Sequence, residues 1–155
     1  VTNGDHTDRI ATIIENGGSF YQGLLAEKHE PDPPNYTPRI AGLLNHDSSG
    51  TKIELGMVCN SPFSPNHSEV HVHHLPLLQQ GFGFGITTYK EDGTPLPHFQ
   101  DNPLLLPMYG KSNELVDLYW NALNSENRVS LAMHTTGTIP ASTAWTIRNS
   151  RKSSS

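Results

Sequence analysis

Apolar residues Ile10, Ala11, Ile13 and Ile14 recur at the spacing of one helical face, and Gly17-Gly18 ends the run. The pattern predicts a short amphipathic helix closed by glycine. Before it, Val1-Thr2 reads as a strand stub and Asn3-Gly4-Asp5 as a turn. Ser19 is placed to cap a second helix running to about His29, with Phe20, Leu24 and Leu25 on its apolar face. Pro31, Pro33 and Pro34 forbid further helix and force an extended loop that ends in Tyr36-Thr37-Pro38-Arg39-Ile40. Beyond Pro38 the pattern changes to short apolar runs and alternation. Strands are predicted at Ile40–Leu44, Ile53–Cys59, Val70–His73, Phe82–Tyr89, Leu104–Met108 and Arg128–Met133. Turns are predicted at Asp47-Ser48-Ser49-Gly50 and Glu91-Asp92-Gly93-Thr94. A third helix is predicted over Asn113–Leu123, with Leu115, Val116, Leu118, Tyr119 and Ala122 on or near one face. Two helices followed by several strands predict an α+β layered domain over residues 1–148, and the Ser-rich end, 149–155, is expected to be a disordered polar tail.

Composition narrows the picture. The chain has 155 residues, enough for one domain with a modest core. Hydrophobic residues make up 34%, below the usual share, while 13 glycines and 12 prolines predict long, punctuated loops. A net charge of −5 argues against nucleic acid or an anionic membrane surface as the main partner. It leaves room for a small anionic ligand, since a few arginines or lysines can hold a phosphate. The single cysteine, Cys59, excludes an intrachain disulfide framework and fits a reducing, cytoplasmic compartment. No apolar run reaches the roughly 18–20 residues that span a bilayer.

The segment with most chemical content is Asn3-Gly4-Asp5-His6-Thr7-Asp8, taken together with Glu30 and with Thr37 and Arg39 beyond the prolines. A polar turn entering a helix offers free backbone N–H groups to an anion. A proline-stiffened loop fixes the direction of Arg39, and Thr37 adds a hydroxyl. The plainer reading is turn chemistry and helix capping for Asn3 to Asp8 and a surface ion pair for Arg39.

These residues carry a resemblance. Asn3 to Asp8 resembles the NG-x-HTD segment of IMP cyclohydrolases, and Thr37-Pro38-Arg39-Ile40-Ala41 resembles that family's TPRIA segment. Leu24-Leu25-Ala26 matches in register. Gly85-Ile86-Thr87-Thr88-Tyr89 and Asp92 to Pro97 look like bacterial members, so the likeness covers roughly the first two thirds of the chain. The resemblance implies an α-β-β-α sandwich similar to N-terminal-nucleophile hydrolases. It implies closure of the formylated aminoimidazole carboxamide ribonucleotide to IMP with loss of water, using no metal or organic cofactor. It places Glu30 as the catalytic carboxylate and Asn3, His6, Thr37 and Arg39 as substrate-binding residues, with a purine nucleotide as partner. A homo-oligomer is compatible with it. The family also carries, before the NG-x-HTD segment, a strand pair, an arginine and a tyrosine assigned to the active site. That region is not among these 155 residues, so the chain is expected to have little or no activity by itself.

Two other functions compete. One is a nucleotide-binding relative that keeps the Arg39 side of the pocket but not the chemistry. The other is a metal-dependent hydrolase built on His71 and His73, which share a strand face but lack a strong third ligand, although His67 and Glu69 lie close in sequence. Gly81-Phe82-Gly83-Phe84-Gly85 lacks the lysine and helix of a phosphate loop and reads as close strand packing. Ser142 and Thr143 have no nucleophile-elbow context.

Overall fold

A computed structural model describes residues 1–48, 50–76, 80–135 and 144–150. It is a mixed α/β chain of small antiparallel sheets and few helices, in two compact units. The first comprises Val1–Gln79 with Gly83–Leu106, and the second Gln80–Phe82 with Pro107–Ser155.

In the first unit, helix α1 spans Thr7–Glu15 and helix α2 spans Phe20–Leu25. Gly17 has φ +86, the left-handed backbone that glycine adopts at no steric cost. Ser19 caps α2 as expected. Its hydroxyl accepts from Gln22 N–H at 3.1 Å while the Gln22 side chain accepts from Ser19 N–H at 2.7 Å. The helix is shorter than the sequence pattern predicts, ending at Leu25 rather than near His29, and Leu25 is exposed rather than packed. The reason lies further along the chain. Glu27 turns to Arg9 and the Lys28 carbonyl accepts from Arg39, so tertiary bonds replace the next helical turn.

Strands β1 (Arg39–Asp47), β2 (Gly50–Ser61) and β3 (Ser64–Leu75) form an antiparallel sheet in that order. Each contains one of the predicted strands and extends beyond it. Val1 and Thr2 lie along the outer edge of β1, where Gly42 N–H donates to the Val1 carbonyl at 2.8 Å. One face of the sheet packs α1 and α2 through Ile10, Phe20, Leu24, Ala41 and Val58. Gly56 is required here, because a Cβ would collide with Leu24 Cδ1. The opposite face packs Met57 and Cys59 against Phe99, with Ile40 and Ile86 alongside.

Burial pushes the Cys59 thiol up to about 11, with the Glu69 carboxylate adding to the effect. Because the thiolate is the nucleophile, iodoacetamide at pH 8 is expected to label the native chain far more slowly than the urea-unfolded chain. Equal labelling rates by mass spectrometry would contradict this burial.

The glycine-rich strand is also shorter than predicted. Strand β4 spans Phe82–Gly85 and pairs with β5, Leu104–Pro107. Tyr89 instead bridges His98, closing the loop that holds the predicted Glu91–Thr94 turn. In the second unit, α3 spans Ser112–Ala122 and buries Leu115 and Val116, while Leu118 of the predicted apolar face is exposed. Strands β6 (Ser130–Thr135) and β7 (Ala144–Asn149) form a hairpin held to α3 by Arg148, which pairs with Asp117 at 2.8 Å. Strand β7 was not expected, and it takes Asn149 out of the proposed tail. Residues 151–155 of that tail, like Ser142 and Thr143, lie outside the described residues.

Candidate functional site

The turn before α1, the loop after α2 and the start of β1 meet in space. Arg39 is the hub, with a side chain 13% exposed. Its Nη1 donates to Asp5 Oδ1 at 2.8 Å and lies 3.0 Å from Glu30 Oε1 and 3.1 Å from His6 Nδ1. Its Nε donates to the Lys28 carbonyl at 2.7 Å. Two edges of the guanidinium are thus fixed, and Nη2 has no hydrogen bond to any described residue. Gly4 makes room for this, since a Cβ there would sit 3.0 Å from Arg39 Nη1.

A second cation lies alongside. Arg9 grips the buried Glu27 through Nε and Nη2, both at 2.8 Å. Arg9 also reaches Asp5 at 3.2 Å. The hydrogen bonds from Arg9 and then Arg39 hold the Asp5 carboxyl down at about 2. Arg9 likewise holds the Glu27 carboxyl below the usual range, against the opposing effect of burial.

Thr37 stands on the same loop, its carbonyl accepting from Glu30 N–H at 2.9 Å. The Thr37 hydroxyl touches two oxygens, Asp32 Oδ2 at 2.5 Å and Tyr89 Oη at 2.6 Å. Burial works to raise the Asp32 carboxyl, but the hydroxyl and backbone N–H of Thr37 outweigh it and leave the group lowered. An ionised Asp32 only accepts. Thr37 therefore donates to Asp32 and accepts from Tyr89. Tyr36 precedes this group with φ +47, a conformation rare without glycine and one that gathers at functional sites.

Asn3 acts as a clamp. Its Nδ2 donates to the Pro38 carbonyl at 3.0 Å and to Thr88 Oγ1 at 3.1 Å, and its Oδ1 accepts from Ile40 N–H at 2.8 Å. The side chain thereby brackets Arg39 as a neighbouring strand would. His6 is fully buried behind Arg39.

Of the residues chosen from sequence, Glu30, Arg39 and His6 are in direct contact, Thr37 joins them through its backbone, and Asn3 holds the strand between. Sequence reasoning did not single out Asp5, Glu27, Asp32 and Tyr89. Asp5 stood inside the motif but read as a turn residue, and Tyr89 stood in a segment read only as strand.

Two hollows flank the group. One of about 320 Å³ lies between Asn35-Tyr36 and Pro97-His98, with Asn60 on its floor. Another of about 310 Å³ lies between Ile40 to Gly42 and Phe84 to Ile86. His71 and His73 stand elsewhere on the sheet, opposite Met57 and Leu55 in register. His71 lies 3.9 Å from Glu69, and no group of three metal-ligating side chains occurs among the described residues. No helix among them is long and apolar enough to cross a membrane.

The chain matches, over residues 1–138, the model of a family described as IMP cyclohydrolase-like protein. A protein of Methanothrix thermoacetophila named IMP cyclohydrolase is 35% identical to it over 97 residues, which are 60% of this chain and 42% of that protein. The chain therefore spans less than half the length of this relative. No solved structure matches it.

Proposed function

The chain belongs to the IMP cyclohydrolase-like family, a family of hydrolase type, and on that premise we propose that it serves the closing step of purine ring synthesis. The substrate is the formylated aminoimidazole carboxamide ribonucleotide and the product IMP. The setting is the cytoplasm, and the fold of the whole protein is the α-β-β-α sandwich of the N-terminal-nucleophile hydrolases. The carboxamide nitrogen attacks the formyl carbon, Glu30 takes the amide proton, and the formyl oxygen leaves as water with that proton and the one the formamido nitrogen gives up as the ring C=N bond forms. A donor beside Glu30 stabilises the oxyanion as it forms. Both reacting groups belong to one molecule, so holding their geometry contributes strongly to rate.

The observation that supports this reading is the Glu30–Arg39 pair at 3.0 Å, in which Nη2 of the guanidinium has no hydrogen bond to any described residue. A carboxylate and a fixed, partly unoccupied cation side by side suit a substrate that offers both an amide proton and negative charge.

Arg39→Ala is expected to weaken IMP binding on the order of 10–100-fold, the usual range for one charged hydrogen-bond donor. It is expected to raise KM more than it lowers kcat, because Arg39 holds substrate in ground and transition states alike. Calorimetry with IMP and an assay of IMP formation check this together. Unchanged IMP affinity in Arg39→Ala would overturn the role of Arg39. Tight IMP binding without turnover, in a form carrying the family's N-terminal region, would favour a nucleotide-binding relative instead.

A further inference from the structure

His6 has no exposed surface. Its ring therefore offers no face to a ligand, although it sits in the most recognisable motif of the chain. Nδ1 lies 3.1 Å from Arg39 Nη1, and Nε2 is buried without a hydrogen-bond partner among the described residues. A guanidinium only donates. Nδ1 must therefore accept, and the ring proton must sit on Nε2. This tautomer gives Arg39 an acceptor on its inner side and leaves the Nε2 proton without a partner in hydrogen-bond geometry among the described residues, with the Ile40 carbonyl the backbone oxygen that acts on the ring. His6 also stands at the N-cap of α1 without making a side-chain cap, so its ring is committed to Arg39 rather than to the helix end.

We propose that His6 is a positioning residue: as a neutral ring it holds the Arg39 guanidinium from behind, so that Nη1 meets Glu30 and Nη2 faces the ligand. This rests on the nucleotide reading of the Glu30–Arg39 site. The charged groups around the ring are Arg39 on β1, Arg9 on α1, Asp5 in the preceding turn, and Glu27 and Glu30 in the loop after α2. The ring carries its proton less readily than an ordinary histidine, first because it is buried and second because Arg39 repels a second positive charge, with the Ile40 carbonyl and Glu27 pulling the other way. Protonation would turn Nδ1 into a donor facing a donor, and the Arg39 geometry would be lost.

The consequence is a pH dependence with a fixed sign. A ring whose folded value lies below its unfolded value binds fewer protons in the native state. Its contribution is fully present above the unfolded value, near 6.5, and is lost as pH falls through the lower, folded value. IMP affinity should fall with it, beyond the fall caused by the phosphate's own titration.

The test uses the 155-residue chain. The first measurement is the ¹⁵N spectrum of the histidine rings at pH 7, with the His6 signals assigned by their loss in His6→Asn. A bare Nδ1 and a protonated Nε2 are expected, and a proton on Nδ1 would overturn the proposal. The second is IMP affinity by calorimetry from pH 8 down to the onset of acid unfolding. His6→Asn keeps an acceptor where Nδ1 stood and cannot titrate, so on acidification it should lose only what the phosphate's own titration takes, while wild type loses more. Coincident curves would overturn the proposal. The third is the Arg39 Nη1–H signal, the group that faces His6 Nδ1, expected to be sharp in wild type and His6→Asn and broadened in His6→Leu, which fills space without an acceptor. A sharp signal in His6→Leu would show that His6 does not hold Arg39. If wild type binds no IMP at any pH, the nucleotide reading fails, while the ring tautomer and the Arg39 signal still decide whether His6 orients the guanidinium.

Discussion

Glu30→Gln is expected to slow IMP formation by about 10²–10⁴-fold, the usual loss when a positioned base is removed. The substitution is nearly isosteric. The amide oxygen can sit where Glu30 Oε1 lies, 3.0 Å from Arg39 Nη1, so the pocket keeps its shape and IMP affinity should change by less than about 1 kcal/mol. What the amide cannot do is take the carboxamide proton as the ring closes. The measurement is IMP formation from the formylated precursor, in a form carrying the N-terminal region that the family resemblance implies, with calorimetry alongside. Turnover within about threefold of wild type would take Glu30 out of the mechanism.

Leu24→Ala should have the largest effect on stability, about 2–5 kcal/mol. Helix α2 has six residues, far fewer than the roughly 12–15 at which an isolated helix becomes even marginal. It persists because Phe20 and Leu24 are driven into the sheet, Leu24 with no exposed surface and pressed against Gly56. Removing three carbons there leaves a hole that the glycine cannot fill. Leu25→Ala, at a side chain 54% exposed, should cost no more than about 0.5 kcal/mol. Urea unfolding of the two variants side by side makes the comparison. A loss below about 1 kcal/mol in Leu24→Ala would mean that α2 is not anchored by that residue.

The sequence carried the elements whose signals are local. Gly17-Gly18, the Ser19 cap and the alternation through Val70–His73 each declare themselves within a few residues, and each stands in the structure. Where the pattern misled, a distant partner had decided the matter. Leu25-Ala26-Glu27-Lys28-His29 has good helical propensity, yet Glu27 is 18 residues from the Arg9 that holds it, and Lys28 is 11 from Arg39. Strand β7 was hidden because Trp145 and Ile147 alternate correctly but run directly into a Ser-rich end, and both remain largely exposed. The candidate site shows the same division. Thr37 and Arg39 were legible in the segment that resembles the family's TPRIA motif, and Glu30 by its register from Leu24-Leu25-Ala26. Asp5 lies 34 residues from Arg39, and Tyr89 lies 52 from Thr37. Nothing in either neighbourhood marks those pairings, because a turn aspartate and a strand tyrosine are the commonest forms of both residues.

The Asn3 clamp bears on how the protein ages. Asparagine followed by glycine is the dipeptide most prone to deamidation, because an unhindered glycine nitrogen can attack the side-chain carbonyl and close a succinimide. In the native chain that carbonyl accepts from Ile40 N–H, and the amide nitrogen is tied to Pro38 and Thr88. These three bonds hold the side chain in place, so the reaction is expected to run faster in the unfolded chain. Its product is a carboxylate with no donor for the Pro38 carbonyl, and a chain so altered has lost part of what brackets Arg39. Deamidation at Asn3 is thus expected to accumulate with the time a molecule has spent unfolded.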